Sequence, residues 1–125
     1  MNLKPIATVL QDAGLGVFGV SLFINQMPMD CQEGYLLRNK LVGTPIDHEL
    51  PGYFKTPFQL IARSKSHERG DEMIDQAREV LTMHDAQVEE LLIRRMHAVT
   101  LPVVFPLSKG NLLETTCDFD VVFNQ

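Results

Sequence analysis

The sequence predicts an α+β fold, a mostly antiparallel sheet of about five strands with two helices packed on one face. Three stretches carry that expectation. Residues 58–83 read as a strand, a short polar turn and a well-patterned helix. Residues 113–123 alternate strictly between apolar and polar side chains, the signature of a half-buried strand. Residues 4–13 give a shorter amphipathic helix. The apolar stripe of a helix needs a sheet or another helix to cover it, and the other segments read as the supply of that sheet.

The first helix starts at Pro5, where a missing amide is harmless. Ile6, Val9, Leu10 and Ala13 form its stripe, and Gly14 suits the residue just past its end. Val20, Leu22 and Ile24 then alternate with Ser21, Phe23 and Asn25 as a first strand, and Gly34–Leu41 reads as a second. Residues 43–57 contain Pro45, Pro51, Gly52 and Pro57 and show no periodicity. Connections of that length in compact domains tend to be functional, so this one is expected to be a contact arm.

Phe58–Arg63 is apolar on both faces and short, as a buried strand is. Ser66 has the hydroxyl to cap the next helix. Met73, Ile74, Ala77, Val80, Leu81 and His84 form the stripe of that helix, which is expected to run through Met83 with His84 closing it partly buried. Its opposite face carries Glu68, Asp71, Glu72, Asp75 and Glu79 against Arg69 and Arg78, with the acids mostly in the first half, where they complement the helix dipole. Leu91–Leu101 has apolar spacing that suits a helix, but Ile93, Val99, Thr100 and the following Pro102 favour a strand. Lys109-Gly110-Asn111 is a turn signal that folds the last strand back as a hairpin. In that strand Leu113, Thr115, Cys117, Phe119, Val121 and Phe123 form a dry face, opposite Glu114, Thr116, Asp118, Asp120 and Val122.

At 125 residues, 45% hydrophobic and 22% charged, the chain is expected to be one domain, 1–125, with a real core. Cys31 and Cys117 are far apart in no metal spacing and read as reduced thiols. No apolar block resembles a signal peptide or approaches a membrane span, so the expectation is a soluble product of a cytoplasm. The net charge of −5 argues against a surface that grips nucleic acid.

A search for chemistry yields no enzyme. Asp47, His48 and Glu49 are consecutive and cannot easily converge on one metal ion, so they read as a solvated loop. His67, His84 and His97 are scattered, and Ser21, Ser64, Ser66 and Ser108 lack a nucleophile-elbow context. Gly14-Leu15-Gly16 with Gly19 follows a helix instead of a strand, which rules out a dinucleotide fingerprint. Glu114, Asp118 and Asp120 share a strand face, so an acid–base pair is geometrically possible, but a solvent- or partner-facing stripe is the simpler reading. Arg94 and Arg95 are expected to point to opposite faces of their strand, so that only one joins the exposed surface.

The order of Gly14-Leu15-Gly16, Met27-Pro28, Gly43–Asp47, Phe58–Arg63, the acidic helix and Pro102–Phe123 resembles the tail terminator and minor capsid (head–tail joining) proteins of tailed bacteriophages. The motifs span nearly the whole chain. The resemblance implies a virion protein that needs no cofactor and forms a closed ring, typically a hexamer. Such a ring caps the tail tube at its head-proximal end, meets the tail tube protein and a head completion or connector protein, and lets DNA pass through as non-specific cargo. An acidic chain is compatible with that channel.

Exposure and pattern then suggest contact residues: Thr44, Asp47, His48, Glu49, Tyr53 and Lys55 in the long connection; Arg63; Glu68, Glu72 and Asp75 on the acidic helix; and Arg94 and Arg95. Glu114, Asp118 and Asp120 would face the channel or a partner. Another connector or tail-tube subunit, or a dimeric α+β ligand-binding module, are the competing readings.

Overall fold

A computed structural model describes residues 1–40, 43–106 and 111–125. The described elements are α1 (Lys4–Asp12), β1 (Leu22–Ile24), β2 (Gly34–Asn39), β3 (Tyr53–Ser64), α2 (His67–Leu81), β4 (Met83–Val88), β5 (Leu91–Ala98), β6 (Val103–Pro106) and β7 (Leu113–Asn124). The seven strands form one sheet in the order β1-β2-β3-β7-β5-β4, with β6 beside the first part of β7. β1 and β2 run parallel, and every other described pair is antiparallel. The expected α+β class and its two helices are therefore present, with seven strands in place of about five.

The centre is the β3–β7 ladder, paired from Tyr53↔Asn124 to Ser64↔Leu113. Its alternation follows the expected pattern except at Leu113, which is half-buried, and at Val122 on the opposite face, which is buried. Phe58, Leu60 and Ala62 of β3 and Thr115, Cys117, Phe119, Val121 and Phe123 of β7 are buried. With Tyr35 and Leu37 of β2 they form one core with Met73, Ile74, Ala77 and Leu81 of α2 and Ile6, Ala7 and Leu10 of α1. Phe58 stacks on its register partner Phe119 with centroids 5.3 Å apart, and Phe54 meets Phe123 at 5.4 Å. Such pairs contribute about 1 kcal/mol each beyond their area.

Local sequence sets the helix ends. Gly14, at φ 78°, lets its own N–H reach Gln11 O and that of Leu15 reach Leu10 O, the two bonds of a Schellman motif. Ser66 caps α2 by accepting from the Arg69 N–H at 3.1 Å. Gly70 then brings α2 onto the sheet: a Cβ there would overlap Thr115 Oγ1 and sit 3.0 Å from Ser64 Oγ. Tyr35 ties β2 to α2 by donating its buried hydroxyl to Met73 O at 2.7 Å.

Several expected boundaries move. α2 stops at Leu81 because Thr82 turns extended (φ −73°, ψ 115°), while its hydroxyl donates to Arg78 O. Met83 and His84 therefore open β4, a strand the helical spacing concealed, and His84 is exposed instead of closing the stripe. The first strand shrinks to Leu22–Ile24, with Val20 exposed. The second ends at Asn39; Leu41 lies outside the described residues. Residues 53–57 of the expected connection belong to β3, and Pro57 fits because it lies one residue past the last β2 pair, where β3 has β7 on one side only. Leu91–Ala98 is a strand, as β-branching indicated, and Pro102 separates it from β6. The two follow one another along the same side of β7, bridged by the Val99 N–H to Asp118 O. Of the expected turn, Asn111 has φ 54°, while Lys109 and Gly110, like Ser108, lie outside the described residues.

Gly70→Ala should lower the unfolding free energy by about 1–3 kcal/mol through overpacking, despite the better helix propensity of alanine. In a Thr115→Ala background, where the obstructing hydroxyl is gone, the same substitution should become neutral or stabilising; equal losses in both backgrounds, measured by urea unfolding, would rule out this contact as the cause. Burial pushes the Tyr35 phenol up to about 12, so the unfolded chain loses that proton first as pH rises above about 10. The contribution is constant below that point and falls between pH 10 and 12, by up to about 3 kcal/mol. Tyr35→Phe should remove this alkaline slope, which pH-dependent unfolding curves would reveal.

Candidate interaction surfaces

The face of the sheet away from the helices carries the polar half of each alternating strand. On β7 it presents Glu114, Thr116, Asp118, Asp120 and Val122; on β3, opposite them, Arg63, Ile61, Gln59, Pro57 and Lys55. The acids are not a bare stripe. Arg63 pairs with Glu114 at 3.2 Å, and Lys40 with Asp118 at 2.8 Å. Gln59 donates to Asp118 at 3.3 Å and accepts from Arg38, continuing the network onto β2. Asp120 stands opposite His97 of β5 and makes no ion pair among the described residues. Among the described residues the acids of this face thus differ: Glu114 and Asp118 are answered within the subunit, and Asp120 is not.

Arg63 is a correction to the expected contact set. It is 5% exposed, and its guanidinium donates to Pro28 O at 2.7 Å and Cys31 O at 3.0 Å besides meeting Glu114. Residues 25–33, the strap joining the parallel strands β1 and β2, are held to the sheet by these bonds. A buried arginine that donates to two backbone carbonyls and a carboxylate holds its own chain together, although its Nε has no hydrogen-bond partner among the described residues.

The other expected contact residues lie at three places. Asp47, His48 and Glu49 are exposed in the turn before β3, around a shallow groove that Pro45, Ile46, Tyr53 and Lys55 also line. Thr44 anchors the near end of that segment by donating to Thr56 Oγ1 at 3.0 Å. Glu68, Glu72 and Asp75 are exposed on the outer face of α2, where Arg69 meets Glu72 at 3.4 Å and reaches Glu33 at 3.0 Å. The Glu33 carboxylate, hydrogen-bonded to that guanidinium, raises the Arg69 pKa further. Arg94 and Arg95 are both exposed, against the expected opposition of neighbouring strand residues. The reason is a register shift: β5 carries an extra residue between Ile93 and Arg95 relative to β7. Arg94 then meets Asn124 at 2.9 Å and Asp85 of β4 at 3.5 Å.

What pattern reading missed is apolar. Val17, Phe18 and Val20 before β1, Met29 in the strap, and Val99, Leu101, Val103 and Phe105 around the β5–β6 break are all exposed. The available signal was the absence of charge: residues 13–29 and 98–108 are the two longest runs without a charged side chain. Among the described residues no three metal-ligating side chains converge, and none of the helices is long and apolar enough to cross a membrane. Cys117 is buried, and that burial raises its thiol pKa, which makes it a poor nucleophile.

The family model described as bacteriophage tail terminator protein matches residues 9–125. A solved chain from the virion of a native gene transfer agent particle superposes with a TM-score of 0.69 at 11% identity, covering 97% of this chain and 94% of that one. At that identity the likeness concerns the fold. No curated protein matches the sequence significantly.

Arg63→Leu should unfold about 3 kcal/mol more easily, because Glu114 and two strap carbonyls lose their partner together. Lys40→Ala, which opens a more exposed pair, should cost no more than about 1 kcal/mol. Faster hydrogen exchange across residues 25–33 in the Arg63 variant alone would locate the effect in the strap; unchanged exchange there would rule out the pinning role.

Proposed function

Since the chain belongs to the bacteriophage tail terminator family, and is thus a structural protein of the phage tail, we propose that its copies close into a ring that caps the tail tube. The observation that carries this reading is the extent of the family match, which takes in every strand and both helices except the first turns of α1. The ring stacks on the last tube layer, stops further polymerisation and offers its other side to a head completion or connector protein. DNA passes through the centre.

Physical features of the subunit support a mechanical role. A head-to-tail contact that closes produces a ring, and one that does not close produces a filament, so a terminator needs two different surfaces at a fixed angle. A sheet with one face under the helices and a polar, largely half-buried face opposite supplies such a frame. In this reading the turn bearing Asp47, His48 and Glu49, with Tyr53 and Lys55, the acids Glu68, Glu72 and Asp75 of α2, and the arginines Arg94 and Arg95 meet neighbouring subunits, tube or connector. Asp120 faces the channel or a partner. A net charge of −5 per subunit keeps a DNA-bearing channel from becoming adhesive.

Light scattering across a concentration series, with negative-stain imaging of the largest species, tests the proposal. Closed rings with a hole about as wide as a DNA duplex, roughly 20 Å, are the expected result. Long stacked tubes would identify a tube-like subunit instead, and a stable dimer with nothing larger would favour a small binding module.

A further inference from the structure

The two charge-free runs sit at opposite edges of the sheet. One edge is the turn before β1 and the strap after it, where Val17, Phe18, Val20 and Met29 are exposed. The other is the β5–β6 segment, where Val99, Leu101, Val103 and Phe105 are exposed, Leu101 at 80%. A single cross-strand row joins them: Phe23, Leu36, Ile61, Thr116 and Val103 are successive register partners through β1, β2, β3, β7 and β6. Four strand spacings place the two patches about 19 Å apart, at the same level of the sheet.

The remaining edge is built differently. β4 presents His84, Asp85 and Gln87 to solvent, with Asp85 at φ 49° and paired with Arg94, features that discourage edge-to-edge association. β6 bears no charge, and β7 is its sole described strand partner. Exposed residues of this size offer on the order of 400 Å² per patch, at the level of the largest apolar patch on a typical monomer. That forms an apolar core for a standard interface of about 800 Å² a side once a polar rim is added.

We propose that the β5–β6 segment of one subunit docks on the Val17–Val20 turn and strap of the next copy of this chain. The inference rests on the ring reading and assigns its subunit boundary. The turn through Met29 and the β5–β6 segment carry no charged side chain; beyond Met29 the strap bears Asp30 and Glu33, the latter answered by Arg69. A chain carrying −5 overall thus meets its neighbour where like-charge repulsion is low. The two patches differ and lie at opposite edges, so each subunit uses one in each contact. That is the head-to-tail geometry a ring requires and a symmetric dimer does not.

Two variants with one damaged patch each test this: Val20→Asp and Leu101→Asp. Both positions are highly exposed, so thermal melts should match the parent; if either variant melts low, Val17→Asp or Val103→Asp replaces it. In analytical ultracentrifugation each variant alone should stay monomeric, with self-association at least 100-fold weaker than the parent's. Mixed in equal amounts, they should form a heterodimer that grows no further, because one intact contact remains between them. Variants that assemble like the parent, or a mixture that gives no heterodimer, would overturn this boundary and leave the ring reading standing. A parent chain that stays monomeric at every concentration would overturn both.

Discussion

The pairing of β3 with β7 is the constraint from which the rest of the subunit follows. Twelve consecutive register pairs fix two faces at once, because side chains alternate along both strands. A slip of β3 by one residue would turn Phe58 and Leu60 out to water and bring Gln59 and Arg63 under α2, and a slip of β7 would do the same to Cys117, Phe119 and Asp118. The stacked Phe58–Phe119 pair and the close approach of Gly70 to Thr115 lock the register from the helix side. The Arg63–Glu114 and Gln59–Asp118 contacts lock it from the other. The polar face is thus determined by the same ladder that builds the core, and its network holds the strap in place.

Much of this was legible in the sequence, for identifiable reasons. The alternation of residues 113–123, the stripe of α2, the Ser66 cap and the Gly14 terminus are local patterns, and each survives in the fold because tertiary contacts reinforce it. The failures are equally local in cause. Met83 and His84 continue the helical spacing of α2 by coincidence, while Thr82 already leaves helical geometry. Pro57 disguised the start of β3, since proline reads as a breaker unless the strand has a free side. An inserted residue in β5 let Arg94 and Arg95 both reach solvent.

The contact residues divide along similar lines. Exposure of Asp47, His48, Glu49 and the α2 acids could be read from charge and periodicity. The burial of Arg63 could not, because its partners are backbone carbonyls of a strap distant in sequence and pattern alone gives no sign of them. Exposed apolar residues were missed for the opposite reason: an apolar strand residue is assigned to the core by default. The length of the charge-free runs was the signal available. It becomes informative once the sheet order places them at its two edges.

The long-range character of the β3–β7 ladder also bears on how the subunit comes into being. Tyr53 meets Asn124 and Ser64 meets Leu113, so α2, β4, β5 and β6 must all lie within the loop that this pairing closes. Topologies dominated by such distant contacts fold on the slow side, in milliseconds to seconds, because chain entropy is lost before contacts compensate for it. Until β7 inserts, β3 presents a long open edge and α2 has half its seat missing. The folding chain therefore passes through a period in which its stickiest surfaces are not yet those that assembly uses. Its yield in a crowded cell is a race between threading one strand and meeting another unfinished copy.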